Sequence, residues 1–243
     1  MEVEEKPVQK PGRWAAAFQV VICCGQIPTQ TAIAAVLMLV GVVPEVNGQI
    51  ALGFFAGITL IDTVVVIALM RVFLRDGHES ARQVFFGSRA RAHEVGLGII
   101  LTPVVLVGAL AVVALLRLFV PVLHNVPVSP FETFFSTPWR AMLFTVVAMV
   151  AGGVREELQR GFLLHRFEQS LGGMKLGLAV FSVAFGAFHY TQGWDVAIAT
   201  GLLGLFWGWL YMKRRSVVAS MVSHAGFNGT QVLQQLLLKL MGS

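Results

Sequence analysis

The chain has 243 residues, of which 56% are hydrophobic and 13% are charged, and its net charge is +5. Its mean hydropathy is +0.75. Soluble domains carry about 25% charged residues, so this composition excludes an ordinary soluble protein and indicates an integral membrane protein. The basic residues stand in short clusters between apolar segments, which is typical of membrane orientation and not of nucleic-acid binding. Cys23 and Cys24 are adjacent within an apolar segment, so the sequence predicts neither a disulfide framework nor a cysteine metal site.

Apolar segments follow a polar tail, residues 1–13, and their lengths predict about seven membrane-spanning helices. A spanning helix needs about 20 mainly apolar residues. The predicted spans are residues 14–44, with a kink at Pro28, and then 50–72, 96–116, 139–154, 174–190, 194–212 and 216–240. Six or eight spans stay open, because boundaries are the weakest part of such a prediction. The expected fold is all-α, a multi-pass transmembrane helix bundle that forms a single membrane domain over residues 1–243.

Lysine and arginine occur at the N terminus and in every second connection between the predicted spans. Connections 44–49, 121–138 and 191–193 contain none. Because positive residues mark the cytoplasmic side, we expect a cytoplasmic N terminus and a location in the cell membrane. The basic clusters are Lys6, Lys10 and Arg13; Arg71, Arg75, Arg82, Arg89 and Arg91; Arg155, Arg160, Arg166 and Lys175; and Lys213, Arg214 and Arg215.

Ionisable and amide side chains interrupt the last apolar segments. Such groups are costly near lipid and usually face a bundle interior or a watery cavity. If the fourth and fifth spans form a hairpin that turns at residues 171–174, Glu156 and His189 both rise about 25 Å from the turn. In the next hairpin, His224 and Asn228 are four residues apart and share a helix face at a similar depth. The spacing predicts that these four side chains form one polar site.

One carboxylate with two imidazoles is compatible with two kinds of hydrolytic chemistry. The set is a common catalytic zinc site, so Glu156, His189 and His224 would be the ligands if a metal such as zinc is bound. Without a metal, the glutamate would act as a general base on water, and a histidine would stabilise the oxyanion. Asn228 would donate to the oxyanion or orient a neighbour, and Arg160 would pair with Glu156 at i+4. Both chemistries predict hydrolysis of an amide in or near the membrane.

Each of these residues also has a plain structural interpretation. A Glu156–Arg160 pair is more often a structural ion pair, a lone membrane histidine more often packs or hydrogen-bonds, and Phe185 is most simply core. Asp62 is an intramembrane carboxylate with no basic partner within its span, and it could line the site or an ion path. The agreement in depth of four polar side chains favours a site. The remaining histidines are expected to be solvated: His78, His93, His124 and His165.

The order of these residues resembles the CAAX prenyl protease and bacteriocin-processing family. Residues 139–240 contain Glu-Glu followed by Arg, then Phe-x-x-x-His, and then His-x-x-x-Asn, in that order. Members of this family are multi-pass intramembrane endopeptidases, often described as metalloproteases. By this resemblance, Glu156 would activate water. The other residues that it implies are Glu157, His189, His224 and Asn228 in the catalytic site, with Arg160 and Phe185 in support.

The first motif departs from the family pattern by one residue. Glu157 and Arg160 are separated by two residues, where the family usually has three. Aligned on the glutamates, Glu156 is the first Glu of the family motif. Aligned on Arg160 and Gly161, Glu156 is the second, and Arg155 then takes the place of the first. Since Glu156 is matched in both alignments, it ranks above Glu157 as the catalytic base.

The sequence therefore predicts an intramembrane endopeptidase. Its substrate would be a prenylated or membrane-associated peptide or protein, cut near the cytoplasmic leaflet. A non-catalytic alternative is a membrane scaffold or immunity protein of the same fold that binds a partner. A second alternative is a small proton-coupled transporter in which Asp62, Glu156 and the histidines form a relay. The halves of the sequence show no repeat, which argues against a transporter.

Overall fold

A computed structural model describes the backbone of residues 7–241 and the side chains of residues 7–234. Within these residues the only strands are β1 (Glu45–Val46) and β2 (Gln49–Ile50), which pair as a short hairpin. The fold is otherwise helical, as expected. The helices are α1 Arg13–Cys24, α2 Ile27–Leu39, α3 Leu52–Asp76, α4 Ala81–Phe86, α5 Arg91–Phe119, α6 Pro138–Ala148, a π-helical stretch Met149–Glu156 (the π segment), α7 Glu157–Ser170, α8 Met174–Ala187, α9 Trp194–Arg214 and α10 Val218–Met241.

Among the described residues, three helices, α3, α5 and α9, are long and apolar enough to cross a membrane. Together α1 and α2 would form a fourth span, bent by 46°. The bend lies before the expected position, because Gln26 has a positive φ of 57° and Pro28 is accommodated in the first turn of α2. The shorter apolar helix α8 has 14 residues. These lengths support a membrane helix bundle, and the count of seven spans stays a prediction.

The stretch formed by α6, the π segment and α7 runs without interruption through the bundle. Helices α1, α4, α8 and α9 pack around α7, while the π segment contacts α3 and α10. Phe162 and Leu164 of α7 are fully buried in the main apolar core, together with Leu74 and Trp207. π-helical turns occur often at functional sites. Residues 149–170 are thus the part of the chain that most other helices enclose.

Connections between helices gather at two opposite ends of the bundle. The N-terminal tail joins the end that holds the basic connections, where the Ser170 hydroxyl donates to the carbonyl of Pro11. The basic connections thus lie at one end, which agrees with their occurrence in every second connection of the sequence. That this end is cytoplasmic stays a prediction. The ion pairs across that end are Glu79–Arg166, Glu94–Arg214 and Glu168–Arg215, and those at the opposite end are Arg117–Asp195 and His124–Asp195.

Two histidines expected to be solvated contact buried carboxylates instead. His165 on α7 contacts Oε2 of Glu79, and Nδ1 of His124 lies 3.1 Å from Oδ2 of Asp195. Arg166 also donates to Glu79, at 2.5 Å. Burial opposes ionisation of Glu79, but hydrogen bonds from His165 and Arg166 outweigh it and lower the pKa of its carboxyl. The sequence could not predict these contacts, because the partners lie on separate helices and connections.

Gly204 and Gly208 on α9 have a small-xxx-small spacing that predicts close helix packing. A Cβ on Gly204 would lie 3.0 Å from Cδ1 of Phe185 on α8. A Cβ on Gly208 would overlap Cδ1 of Leu178, also on α8. The prediction is confirmed, and the close approach of α9 sets Phe185 against the interior of the bundle.

Candidate active site

Two glycines of the π segment let it approach α10 closely. A Cβ on Gly152 would overlap Nδ2 of Asn228 and would lie 3.0 Å from Nε2 of His224. A Cβ on Gly153 would lie 2.5 Å from Cβ of Ala225. Any larger residue would push the two elements apart. The glycines therefore bring the start of α7 against the polar face of α10.

Glu157 lies at the buried centre of the site. Its side chain is 0% exposed, and Oε1 accepts from Arg160 and, at 2.8 Å, from Nδ1 of His224. Because an ionised carboxylate only accepts, Nδ1 of His224 carries a proton. The expected pairing of Arg160 with Glu156 is wrong. Residues three and four apart are both neighbours on a helix, and Glu157, at i−3, is the one that points to the interior with Arg160.

Arg160 is fully buried among aromatic rings. Its guanidinium carbon lies 4.7 Å from the ring centre of Phe181, 5.2 Å from that of Phe185 and 5.6 Å from that of Trp207. Cation–π contacts of this kind stabilise a desolvated guanidinium. Its Nε and Nη2 have no hydrogen-bond partner within the described part of the chain. The aromatic rings and Glu157 therefore offset the positive charge of Arg160.

Glu156 is the more accessible of the two glutamates, with 12% of its side chain exposed. Its Oε1 lies 3.5 Å from Nη2 of Arg155, and its Oε2 lies 3.8 Å from Nε2 of His224. The second distance is too long for a hydrogen bond. Oε2 is consequently free, among the residues described, to accept a hydrogen bond from water or substrate.

The His224 ring stacks on Trp207, with ring centres 3.9 Å apart and an interplanar angle of 17°. Stacking and the hydrogen bond to Glu157 hold the ring so that Nε2 faces Glu156. The sequence-based prediction missed Trp207. Its spacing of three from Gly204, which marks the packed face of α9, is the pattern that could have found it.

Asn228 contacts the same stretch of helix from the α10 side. Its Nδ2 donates to the carbonyl of Ala148 at 2.9 Å, immediately before the π segment. The amide keeps a second N–H and an acceptor oxygen for another partner. The structure thus brings Glu156, Glu157, His224 and Asn228 together, as the spacing predicted for three of them.

His189 lies just beyond the end of α8 and is half-buried. Its Nδ1–H donates to the carbonyl of Phe185 at 2.7 Å, which leaves Nε2 as the acceptor of a neutral ring. The Phe185 ring centre is 5.0 Å from that of His189 and 6.1 Å from that of His224. Among the described residues, His189 makes no hydrogen bond to the glutamates, to His224 or to Asn228. Phe185 therefore packs against both histidines.

Asp62 has no basic partner on its own helix, but the π segment supplies one. Nη1 of Arg155 donates to Oδ2 of Asp62 at 2.9 Å, and Nε2 of Gln30 lies 3.4 Å from the same oxygen. Asp62 is 0% exposed. The sequence could not predict this ion pair, whose partners are 93 residues apart in the chain.

The side chains expected to bind zinc are Glu156, His189 and His224. Within residues 7–234, no group of three or more His, Cys, Asp and Glu side chains is arranged to hold a metal ion. His189 and His224 each pack against the Phe185 ring. The set of Glu156, His189 and His224 does not fit a zinc centre in this arrangement, and zinc binding stays a prediction.

Comparison with known proteins identifies the part of the chain that holds this site. No curated protein and no solved structure matches the chain. A family model does match, over residues 138–230, and its description is type II CAAX prenyl endopeptidase Rce1-like. All residues that the resemblance implies for the site lie in that range. The match confirms, over residues 138–230, the resemblance to the CAAX prenyl protease and bacteriocin-processing family.

Proposed function

We propose that the protein is an intramembrane endopeptidase that hydrolyses a peptide bond in a prenylated or membrane-associated substrate, with Glu156 as the general base. The observation that carries this proposal is the contrast between the two glutamates. Each glutamate has an Oε2 without a hydrogen-bond partner among the described residues, but that of Glu157 is buried, and its Oε1 is engaged by Arg160 and His224. The side chain of Glu156 is 12% exposed, and its Oε2 lies beside Nε2 of His224.

In the proposed reaction, Glu156 takes a proton from a water molecule as the water oxygen bonds to the carbonyl carbon of the substrate. A tetrahedral intermediate with an oxyanion results. Glu156 then gives the proton to the leaving amine as the carbon–nitrogen bond breaks. Both carboxylates are back in their starting state at the end.

Polar groups of α10 would stabilise the oxyanion. The second N–H of Asn228 can donate to it, and so can Nε2–H of His224 when the ring is protonated. Glu157 acts on His224, by holding its Nδ1 proton, and not on the substrate. His189 would place substrate or water through its Nε2, which makes no hydrogen bond among the described residues.

The test uses purified protein in liposomes and a fluorogenic peptide that ends in a prenylated cysteine followed by three residues. We expect wild-type protein to cleave it and Glu156→Gln to lower kcat by about 10²- to 10⁴-fold, the usual contribution of a general base. Thermal unfolding confirms that the variant is folded. Undiminished cleavage by Glu156→Gln contradicts the proposal, and binding of the peptide without cleavage by wild-type protein favours the scaffold alternative.

A further inference from the structure

A buried ion pair lies directly beside Glu156, and the proposed mechanism does not use it. Arg155 precedes Glu156 in the π segment, and its partner Asp62 comes from α3. Their side chains are 5% and 0% exposed. Replacing a buried ion pair by apolar side chains is often neutral or stabilising, so such a pair is weak evidence for a role in stability. Ionisable residues inside a membrane bundle are instead a default sign of function.

The guanidinium of Arg155 is divided between two carboxylates. Nη1 donates to Asp62 at 2.9 Å, while Nη2 lies 3.5 Å from Oε1 of Glu156. The strongest arginine–carboxylate pairs are bidentate, with two parallel hydrogen bonds to one partner. Here Oδ1 of Asp62 and Nε of Arg155 have no partner within the described residues. Arg155 therefore does not form the strongest, bidentate pair with Asp62. It instead links Asp62 on α3 to Glu156.

Asp62 is itself fixed by a second helix. Nε2 of Gln30 on α2 lies 3.4 Å from the oxygen that accepts from Arg155. The result is a chain of contacts from Gln30 through Asp62 and Arg155 to Oε1 of Glu156. This chain turns the other oxygen of Glu156, Oε2, towards Nε2 of His224.

The geometry points to Asp62 and Arg155 as positioning residues that orient the Glu156 carboxylate and offset its charge. This inference rests on the proposed function, in which Glu156 is the base. Asp62 acts through Arg155, and neither side chain touches the substrate. If Asp62 and Arg155 only position Glu156, substituting either should lower kcat and leave KM unchanged, because neither side chain contacts the bound substrate.

The experiment measures kcat and KM in the peptide-cleavage assay for Arg155→Met, Arg155→Lys and Asp62→Asn. We expect Arg155→Met to lower kcat by about 10- to 100-fold with KM unchanged, the size found when the hydrogen-bond partner of a metal-ligating side chain is lost. Arg155→Lys should recover part of this loss, because it restores a positive charge. Asp62→Asn keeps the shape of the side chain and should lower kcat as well.

A double variant tests whether Asp62 acts through Arg155. Coupled residues give non-additive effects. We expect Asp62→Asn to add no further loss of kcat when it is combined with Arg155→Met. The matched control is Glu168→Gln, which neutralises the carboxylate of an exposed ion pair with Arg215 and should leave kcat unchanged.

Two outcomes separate this inference from the proposed function. Wild-type kcat in Arg155→Met, with Glu156→Gln inactive, overturns the inference alone. Full activity in Glu156→Gln overturns the proposed function. If Arg155→Met fails to fold, Asp62→Asn and Arg155→Lys decide: wild-type kcat in both contradicts a positioning role, and a lowered kcat in Asp62→Asn with partial retention in Arg155→Lys supports it.

Discussion

Nδ1 of His224 lies 2.8 Å from Oε1 of Glu157, and this contact joins α10 to the first residue of α7. The same carboxylate oxygen also accepts from Arg160. One fully buried oxygen therefore holds a guanidinium and an imidazole in place. Oε2 of the neighbouring Glu156 lies 3.8 Å from Nε2, the other ring nitrogen of His224.

Substitution of the two glutamates should separate structural from catalytic effects. Glu157→Gln removes the charge that balances Arg160, and an unpaired buried charge costs about 3–5 kcal/mol. We expect a clearly lower midpoint of thermal unfolding together with loss of cleavage. Glu156→Gln should lose cleavage with a much smaller change of the midpoint, because its side chain is partly exposed. Equal destabilisation by the two substitutions would contradict the assignment of Glu157 as the buried centre.

Counting helical rise along the sequence predicted that Glu156, His224 and Asn228 would lie close together, but not how they would pair. It also placed His189 with them, and His189 makes no hydrogen bond to them among the described residues. His224 and Asn228 lie beside Glu156 because the hairpins place them at similar depth. The partner of Arg160 was ambiguous, since residues at i−3 and i−4 both adjoin it on a helix. Asp62 and Arg155 could not be matched, because only the tertiary packing of α3 on the π segment brings them together.

A methyl group at Gly152 should damage the site without changing any of its polar residues. The Cβ would overlap Nδ2 of Asn228, and overpacking of a tight contact costs about 1–3 kcal/mol. We expect Gly152→Ala to lower both stability and kcat. The control is Gly108→Ala on α5, where a Cβ would meet open space and activity should be unchanged. Wild-type kcat in Gly152→Ala would show that the π segment and α10 need not approach so closely.

Removal of metal ions tests whether cleavage depends on a bound metal. The described side chains of Glu156, His189 and His224 are not arranged as a three-ligand site. We therefore expect cleavage of the prenylated peptide to persist after dialysis against a strong chelator. The measurement is kcat before and after dialysis, with metal content determined on the same samples. Activity that is lost and then restored by zinc would instead support the ligand set expected from the sequence.

Stability should depend on pH through Glu79, which joins the α3–α4 connection to α7. Hydrogen bonds from His165 and Arg166 hold the pKa of its carboxyl below the ordinary value of 4.5, despite burial. A group whose pKa is lowered by folding stabilises the folded state above its unfolded pKa, and this contribution is lost as pH falls through the folded pKa. We expect Glu79→Gln to be less stable than wild type near pH 7, with the difference shrinking below about pH 4.5.

The measurement for Glu79 is the free energy of unfolding in detergent between pH 7 and pH 3. The matched control is Glu132→Gln, since Glu132 is exposed and forms no ion pair among the described residues. That variant should follow the wild-type curve throughout. A constant gap between Glu79→Gln and wild type at all pH values would mean that packing, and not the charge on Glu79, accounts for its effect, because only an ionised carboxylate loses its advantage on protonation.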